Sequence, residues 1–398
     1  MATLDATEVY FDPYDVDINA DPYPVYARLR AEAPVYYNER HDFWALSRHA
    51  DVEKGLLDWQ TFTSTRSDIL DIIKAGVELP AGVLLFEDPP QHTAHRGLMS
   101  RVFTPRRMAA LEDQVRDYCA GCLDPLVGSD GFDIIAELAA TLPMRVIGML
   151  LGIPEQDQVA VRNRTDANLR TVPGQPMAVS EENVARGDHF AEYIEWRAEH
   201  PSDDLMTQLL TAEFEDETTT RTLTRHEVLT YTAVLAGAGN ETTGRLIGWL
   251  AKLLAEHPDQ RRDLVADRSL LPNVIDEALR FEPTGHAVAR YTMQDYENHG
   301  VTIPAGSAVL LLMASANRDP RRYPDPDVFD IHREDTQHLT FGFGLHFCLG
   351  ASLARLEGRV ALDELLNRFP EWDVDPTGMR LAPTSTVRGW ESMPIVLP

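Results

Sequence analysis

One cysteine has surroundings that favour metal-ligand chemistry. Cys348 lies in the glycine-rich segment FGFGLHFCLG, residues 341–350, and a helical apolar period follows it. The dipole and free amides of a helix N-terminus favour the thiolate form. A thiolate among apolar side chains is a ligand for a soft metal, and we expect Phe341, Phe343 and Phe347 to exclude water. The glycines let the backbone approach a bulky, flat group; the alternative is a buried structural cysteine in a turn.

The other two cysteines, Cys119 and Cys122, form a lone CxxC pair inside a predicted helix. A structural zinc site needs a second pair of ligands, which the sequence lacks. A spacing of three places both thiols on one helix face, so we predict core positions for them. Three cysteines cannot form a disulfide framework, which indicates a reducing cytosol.

An acid and a hydroxyl, Glu241 and Thr242, stand in the middle of a long predicted helix. Thr224 and Glu227 form a capping box at its start, and no proline follows until residue 258. The helix would therefore have about 32 residues and span roughly 48 Å. Its centre, AGAGNETT, is a poor helix sequence because each glycine costs about 1 kcal/mol. We expect a functional interruption there; glycines for close packing are the alternative.

The remaining elements alternate between helices and loops without a linker or a repeat, which predicts one continuous, mostly helical unit with minor sheet. A hairpin is predicted from two short strands. The predicted elements are a helix over 22–32, strands over 35–37 and 43–46, helices over 108–199, a helix from 272 to before 283, a strand over 308–313, a proline-rich meander over 319–327 and strands beyond 372.

Composition excludes several classes of protein. The net charge is −27, from 36 Lys and Arg against 63 Asp and Glu, which argues against binding to nucleic acid phosphates. No apolar run reaches the roughly 18–20 residues that a membrane span needs. Residues 1–10 lack the features of a signal peptide. We therefore expect a cytoplasmic protein without a membrane span and without a nucleic acid partner.

The sequence resembles the cytochromes P450 of the soluble bacterial type. The haem-ligand signature FxxGxxxCxG is complete. Glu277 and Arg280 match the family's ExxR, residues 238–243 match its oxygen-activating helix, and residues 88–92 with Arg96 match the helix beside the haem. The residues that match the haem-ligand signature are Phe341, Gly344, Cys348 and Gly350.

This resemblance covers essentially the whole chain. It implies a single P450 domain over residues 1–398, mainly α with minor β. The implied fold is a triangular helical prism with a long central helix over the haem and small sheets near the N- and C-terminal parts.

The resemblance also implies site residues. Cys348 would be the axial thiolate of haem b, which helps to cleave the O–O bond of bound oxygen. Glu277 and Arg280 would pair with Arg333 in a structural role, and His95 would be a surface or packing residue. The haem propionates would be held by His92, Arg96, Arg290 and His346.

By the same resemblance Glu241 and Thr242 would be the acid–alcohol pair that supplies protons beside the O2 site, and Gly239 would leave room for oxygen. The implied activity is a monooxygenase that inserts one oxygen atom into a C–H bond. A haem carrier or sensor without turnover and a peroxide-driven peroxygenase are the alternatives. The presence of both residues favours O2 with reducing equivalents.

Electrons are expected from a separate ferredoxin and its ferredoxin reductase, because only 50 residues follow Cys348. Residues 91–111 contain no Asp or Glu and would lie on the cysteine side of the haem. Such a basic patch would steer an acidic ferredoxin, although it is also compatible with a solvated helix end. Its arginines are Arg96, Arg101, Arg106 and Arg107.

The substrate is expected to be lipophilic. The segment over residues 67–86, the candidate lid, is rich in apolar side chains and its only cation is Lys74. A terpenoid, a sterol, a fatty-acyl or isoprenoid lipid and a polyketide all fit. The matching positions for pocket-lining residues are Val83, Leu84, Val234, Ala238, Val288, Thr386 and Val387.

Overall fold

The computed structural model describes residues 9–80, 82–179, 187–215 and 219–398. Helices dominate this part of the chain. The described residues form the α-helices α1 (Val16–Ala20), α2 (Tyr23–Glu32), α3 (His49–Leu57), α4 (Leu70–Ala75), α5 (Gln91–Ser100), α6 (Pro105–Ala109), α7 (Glu112–Leu123), α8 (Leu142–Leu151), α9 (Glu155–Leu169), α10 (Ala191–Glu199), α11 (Leu205–Thr211), α12 (Arg225–Glu256), α13 (Pro258–Ala266), α14 (Leu271–Phe281), α15 (Met313–Ala316) and α16 (Ala351–Arg368).

The strands are short and form several small sheets. They are β1 (Val35–Asn38), β2 (Phe43–Leu46), β3 (Phe62–Thr63), β4 (Gly131–Asp133), β5 (Glu213–Glu215), β6 (Thr220–Thr222), β7 (Val288–Thr292), β8 (Tyr296–Asn298), β9 (Val301–Ile303), β10 (Ala308–Leu311), β11 (Asp373–Val374), β12 (Arg380–Leu381), β13 (Trp390–Ser392) and β14 (Pro394–Val396).

The largest sheet has the strand order β1-β2-β10-β7-β3. The predicted hairpin is confirmed, because β1 and β2 pair antiparallel with Val35 opposite Leu46. Strand β10 lies parallel to β2 and antiparallel to β7, where Val309 faces Arg290. The sheet thereby joins the N-terminal hairpin to the strand that carries Arg290.

Helix α12 runs through the main core for 32 residues, as predicted. Its capping box is present: the Glu227 amide donates to Thr224 Oγ1 (3.3 Å) and the Thr224 amide to Glu227 Oε2 (2.6 Å). The expected interruption is wrong, because the helix continues through its centre. A Cβ at Gly239 would lie 3.2 Å from Ile147 of α8, so close packing accounts for this glycine.

Helix α16 packs against α12, α14 and α7, and α6 packs against α16. A Cβ at Gly358 would lie 3.1 Å from Leu246 of α12, so this glycine permits the close approach of the two helices. Cys119 of α7 is fully buried and Cys122 half-buried, which confirms their predicted core positions. Burial raises the pKa of both thiols, as expected for inert packing residues.

Other sequence predictions are largely confirmed. The helix predicted from residue 272 begins at Leu271, and the region over 108–199 holds α7 to α10, although residues 180–186 lie outside the described residues. In the described part of the chain no single helix has both the length and the hydropathy to cross a bilayer. Two consecutive helical segments meet these criteria when they are taken together, and the chain bends by 114° between them; they are Ile135–Leu151 and Glu155–Ala167.

Candidate functional site

The loop that carries Cys348 is shaped by left-handed glycines. Gly342 and Gly344 have φ of 72° and 71°, and a Cβ at Gly344 would lie 2.9 Å from Leu57. The Cys348 amide donates to the Phe341 carbonyl (2.7 Å), which closes the loop three residues before α16. Cys348 is therefore held at the N-terminus of α16, as predicted.

The Cys348 sulfur lies in an environment that can stabilise a thiolate. Burial raises the pKa of the thiol, and the backbone N–H groups of Gly350 and Ala351 oppose this by donating to the sulfur. The guanidinium groups of Arg96 and Arg355 also lower that pKa. The side chain nevertheless remains accessible. An accessible sulfur with backbone donors and nearby cations suits a metal-bound thiolate.

The four residues predicted to hold carboxylates lie together near this sulfur. The rings of His92 and His346 are 4.3 Å apart, and His346 Nε2 lies 3.1 Å from Ser64 Oγ. Burial, together with the charges of Arg290 and Arg96, lowers the pKa of His346 to about 3. Both histidines are therefore neutral beside two guanidiniums.

This cluster fits a flat group with carboxylates. His92 is 1% exposed, and within the described residues neither of its ring nitrogens has a hydrogen-bond partner. Unpaired buried polar atoms are costly, so these nitrogens need a partner from a bound group. The two arginines supply the positive charge that buried carboxylates require. Thiolate, imidazoles and guanidiniums together suit haem ligated through Cys348 with its propionates on this cluster.

The acid–alcohol pair lies on one turn of α12. Thr242 Oγ1 donates to the Ala238 carbonyl (2.8 Å), so its oxygen remains free to accept a hydrogen bond. Glu241 is 7% exposed, and its Oε1 accepts from Arg245 Nη2 (2.6 Å). Its Oε2 has no hydrogen-bond partner among the described residues. Burial raises the pKa of Glu241, and Arg245 opposes this shift.

The ExxR residues form a fully buried ion pair. Arg280 Nε and Nη2 donate to the two oxygens of Glu277 at 2.7 and 2.8 Å, and both side chains are 0% exposed. Arg333 Nε lies 3.2 Å from Glu277 Oε2. The predicted three-residue contact is therefore confirmed, and it joins α14 to the segment that follows the meander.

Two contacts of the site were missed from the sequence. Ser64 bonds to His346, and it directly follows β3, which pairs with β7. Arg245 bonds to Glu241 and also donates to the Trp390 carbonyl. Its spacing of four residues from Glu241 was a visible signal for an ion pair on one helix face.

One other expectation requires correction, and one is decided between its two alternatives. Phe341 is buried, but Phe343 and Phe347 are 40% and 39% exposed and do not shield the loop. Phe343 stands between the left-handed glycines and faces outward. His95, expected to be a surface or packing residue, is a packing residue: it is 5% exposed, and its Nδ1 lies 2.7 Å from Glu87 Oε2.

The candidate lid contains α4 and a short helical turn over Leu84–Phe86, while residue 81 lies outside the described residues. Several of its apolar residues belong to the cores, among them Leu70, Ile72, Val83 and Leu84. The end of the lid meets the start of α12, since a Cβ at Gly82 would lie 2.6 Å from Glu227. The other predicted lining residues are exposed (Ala238), half-buried (Val234, Val288 and Thr386) or buried (Val387).

Known proteins resemble this chain over nearly its full length. A family model described as Cytochrome P450 matches residues 184–390. The putative cytochrome P450 123 of Mycobacterium tuberculosis is 39% identical over 396 residues, which cover 98% of this chain and 97% of the relative. The vitamin D(3) 25-hydroxylase of Pseudonocardia autotrophica is 36% identical, with coverage of 95% and 94%.

The fold is similar to solved structures as well. The structure of cytochrome P450 CYP109Q5 from Chondromyces apiculatus has a TM-score of 0.84 and 36% identity, covering 97% of this chain and 98% of that chain. This similarity confirms the predicted fold class.

Proposed function

Because the chain belongs to the cytochrome P450 family, we propose that it hydroxylates a lipophilic small molecule with O2 and with electrons from a ferredoxin. It is a P450 monooxygenase, and members of the family carry haem b. The observation that carries the proposal is the accessible Cys348 sulfur with its two backbone donors and the nearby Arg96.

Bound haem would supply thiolate-ligated iron that activates O2. Cys348 would hold the iron from one side, with Gly350 and Ala351 stabilising the negative sulfur through their N–H groups. The propionates would lie against Arg96, Arg290 and the two neutral histidines. The protein's part is to orient the cofactor and to fix the charges around it.

Proton delivery is the second part of the proposal. Thr242 would accept a hydrogen bond at Oγ1 from an ordered water, because its own proton is directed to Ala238. Glu241 would pass a proton at Oε2, since Arg245 occupies only the other oxygen. A positioned acid–base group contributes typically about 10²–10⁴-fold to rate.

Thr242→Ala is expected to lower product formation at least tenfold and to divert most of the consumed electrons into hydrogen peroxide. The reason is that the ordered water of the proposed relay would lose its hydrogen bond to Thr242 Oγ1. The measurement compares product, NADPH and peroxide in one reaction. Thr232→Ala is the matched control: Thr232 makes the same bond to a carbonyl four residues earlier (2.8 Å) but lies ten residues away. Unchanged coupling in Thr242→Ala would mean that the assigned relay is wrong.

The ferredoxin proposal is supported by exposed arginines on and beside α6, the short helix that packs against α16. Helix α6 packs against α16, and Arg101, Arg106 and Arg107 are exposed. Arg101 and Arg107 donate to the Glu213 carbonyl and to Gln208, both neutral acceptors, so their charges remain. The exposed Phe343 adds an apolar contact on the loop of Cys348. Exposed cations and an exposed aromatic side chain both suit an acidic electron donor.

Reversing Arg101 or Arg107 to Glu is expected to slow reduction by ferredoxin roughly tenfold at low salt while leaving reduction by dithionite unchanged. Stopped-flow reduction of the haem under carbon monoxide measures both rates. Arg164→Glu is the control, because exposed Arg164 lies on α9, which packs on α8 and α12. Equal slowing with both reductants would contradict docking at this patch.

The lipophilic substrate is supported by the apolar lid and by the vitamin D named in one relative's description. A panel of terpenoids, sterols, fatty acids and macrolides, each added to the ferric protein, tests it through the haem band shift that follows water displacement. Shifting compounds are then tested for product with O2, ferredoxin and reductase. Shifts without any product would favour the carrier or sensor, and product with peroxide alone would favour the peroxygenase.

A further inference from the structure

Glu241, the acid of the proposed proton relay, belongs to a polar cluster on one side of α12. Its neighbour Asn240 is 4% exposed and donates through Nδ2 to Asp166 Oδ1 of α9 (2.8 Å). One turn further along α12, Arg245 donates to Glu241 Oε1 and to the carbonyl of Trp390 in β13. The cluster therefore joins α12 to α9 on one side and to β13 on the other.

Three buried atoms of this cluster have no hydrogen-bond partner among the described residues. They are Asn240 Oδ1, Glu241 Oε2 and Arg245 Nε. Unpaired buried polar atoms are costly, and ordered water is the usual partner where several lie together. The cluster thus offers both acceptors and a donor to water that contacts Glu241.

The guanidinium of Arg245 is fixed beside Glu241. Its Nη1 donates to the Trp390 carbonyl, and a Cβ at Gly389 would lie 2.5 Å from Arg245 Cδ, so the backbone before β13 lies against this side chain. A positive charge so close favours the ionised form of the carboxyl. If Glu241 is to deliver a proton, a second charge must oppose this effect.

An opposing negative charge comes from Asp166, which is half-buried. Burial raises the pKa of Glu241, Arg245 lowers it, and the charge of Asp166 raises it. Burial also raises the pKa of Asp166 itself, whereas Arg162 and Arg245 lower it. The hydrogen bond from Asn240 acts in the same direction as these arginines, so the ionised form of Asp166 is stabilised from both helices.

A second arginine near the relay is already paired. Arg170, directly after α9, also lowers the pKa of Glu241. It forms an ion pair with Glu391 of β13, so these two charges largely cancel. Asp166 is therefore left to offset Arg245, and it does so from a helix that packs on α12.

We propose that Asp166 is a positioning residue of the proton relay, because its negative charge offsets that of Arg245 and keeps a proton on Glu241. The bond from Asn240 holds this charge in place. Glu241 gives the proton at Oε2 to the water on Thr242 and regains one from solvent through the water of the cluster. One proton thus moves from solvent to the site, and the charge of Glu241 is restored. This deepens the proposed function, on which it rests for the role of Glu241.

The first test follows the carboxyl itself in the ferric holoenzyme. Infrared difference spectra over a pH series show the C=O band of protonated Glu241, which is assigned by its loss in Glu241→Gln. In Asp166→Asn the midpoint of this band is expected to fall by about one pH unit, because a negative charge that stabilised the proton is gone. The new amide keeps an oxygen that can accept from Asn240, so the contact between the helices remains.

The second test measures the pH dependence of product formation with O2, ferredoxin and reductase. Because protonated Glu241 is the donor, product formation falls as the pH rises through the pKa of this residue. In Asp166→Asn this decline is expected at a pH about one unit lower, with a matching rise in hydrogen peroxide. Asp166→Glu keeps the charge and is expected to restore the profile of the unmodified protein.

Asp157→Asn is the matched control. Asp157 is a half-buried residue of the same helix, nine residues earlier and about 14 Å away along the helix axis, where it lies beside Tyr193. Its replacement changes the net charge of the protein by the same amount. Both the band midpoint and the product profile are expected to stay unchanged.

Each outcome decides the inference. Lower values in both tests for Asp166→Asn alone support it. An unchanged band midpoint, an equal shift in Asp157→Asn, or a shifted midpoint with an unchanged product profile would each contradict it. If Asp166→Asn does not fold, Asn240→Ser, which no longer holds Asp166 against α12, is expected to shift both values in the same direction. Failure of the unmodified protein to form product at any pH would instead contradict the proposed function, and the Glu241 band would still test the effect of Asp166.

Discussion

Replacing Cys348 with serine is expected to remove the long-wavelength Soret band of the reduced carbon monoxide complex and to lower monooxygenase turnover at least a thousandfold, about 4 kcal/mol in activation free energy. A serine hydroxyl is a poor ligand for iron and ionises far less readily than a thiol, whose deprotonated form the N–H groups of Gly350 and Ala351 stabilise. Without the electron-rich sulfur, O–O cleavage loses its main assistance.

The measurement compares the carbon monoxide spectrum, haem content and product formation of the purified variants. Cys122→Ser is the control, because Cys122 is a half-buried cysteine of α7 outside the site. It is expected to keep both the band and the turnover. A porphyrin-loaded Cys348→Ser protein with the long-wavelength band would show that another residue ligates the iron.

Features of the fold that depend on neighbouring residues were predicted well from the sequence. The capping box of Thr224 and Glu227 needs only a spacing of three, and the β1–β2 hairpin needs only two apolar runs with a polar turn. The position of Cys348 before α16 follows equally from a local pattern of glycines and apolar residues.

Contacts between distant residues could not be derived in this way. Nothing near Asp71 in the sequence indicates that Tyr14, Met177 and Ser385 surround it, because three tertiary contacts create that environment. Arg333 was found only through the family resemblance. The outward position of Phe343 depends on backbone angles at its glycine neighbours, which residue type alone does not determine.

Loss of the Glu277–Arg280 ion pair is expected to lower the free energy of unfolding strongly. Removing one partner of a buried pair leaves an uncompensated charge and costs about 3–5 kcal/mol. Glu277→Gln is expected to lower the urea midpoint measured by circular dichroism accordingly. Glu32→Gln, in the exposed pair of Arg28 and Glu32, is the control and is expected to leave the midpoint nearly unchanged.

Arg280→Lys is expected to be nearly as damaging, although it keeps the charge. Arg280 makes five hydrogen bonds, two to Glu277 and three to the carbonyls of Asn317, Pro326 and Val328. A lysine has three donors at one point and cannot reach all these acceptors.

The same network reaches the loop of Cys348, which links stability to haem binding. Asn317 accepts from the Leu339 amide (2.8 Å) and donates to Thr340 Oγ1 (2.9 Å), directly before the loop. Haem retention in both variants, followed by the Soret band during gel filtration, is therefore expected to fall even where helix content persists. Full retention of haem and an unchanged midpoint in Arg280→Lys would mean that charge alone, and not the five-bond geometry, positions the ligand loop.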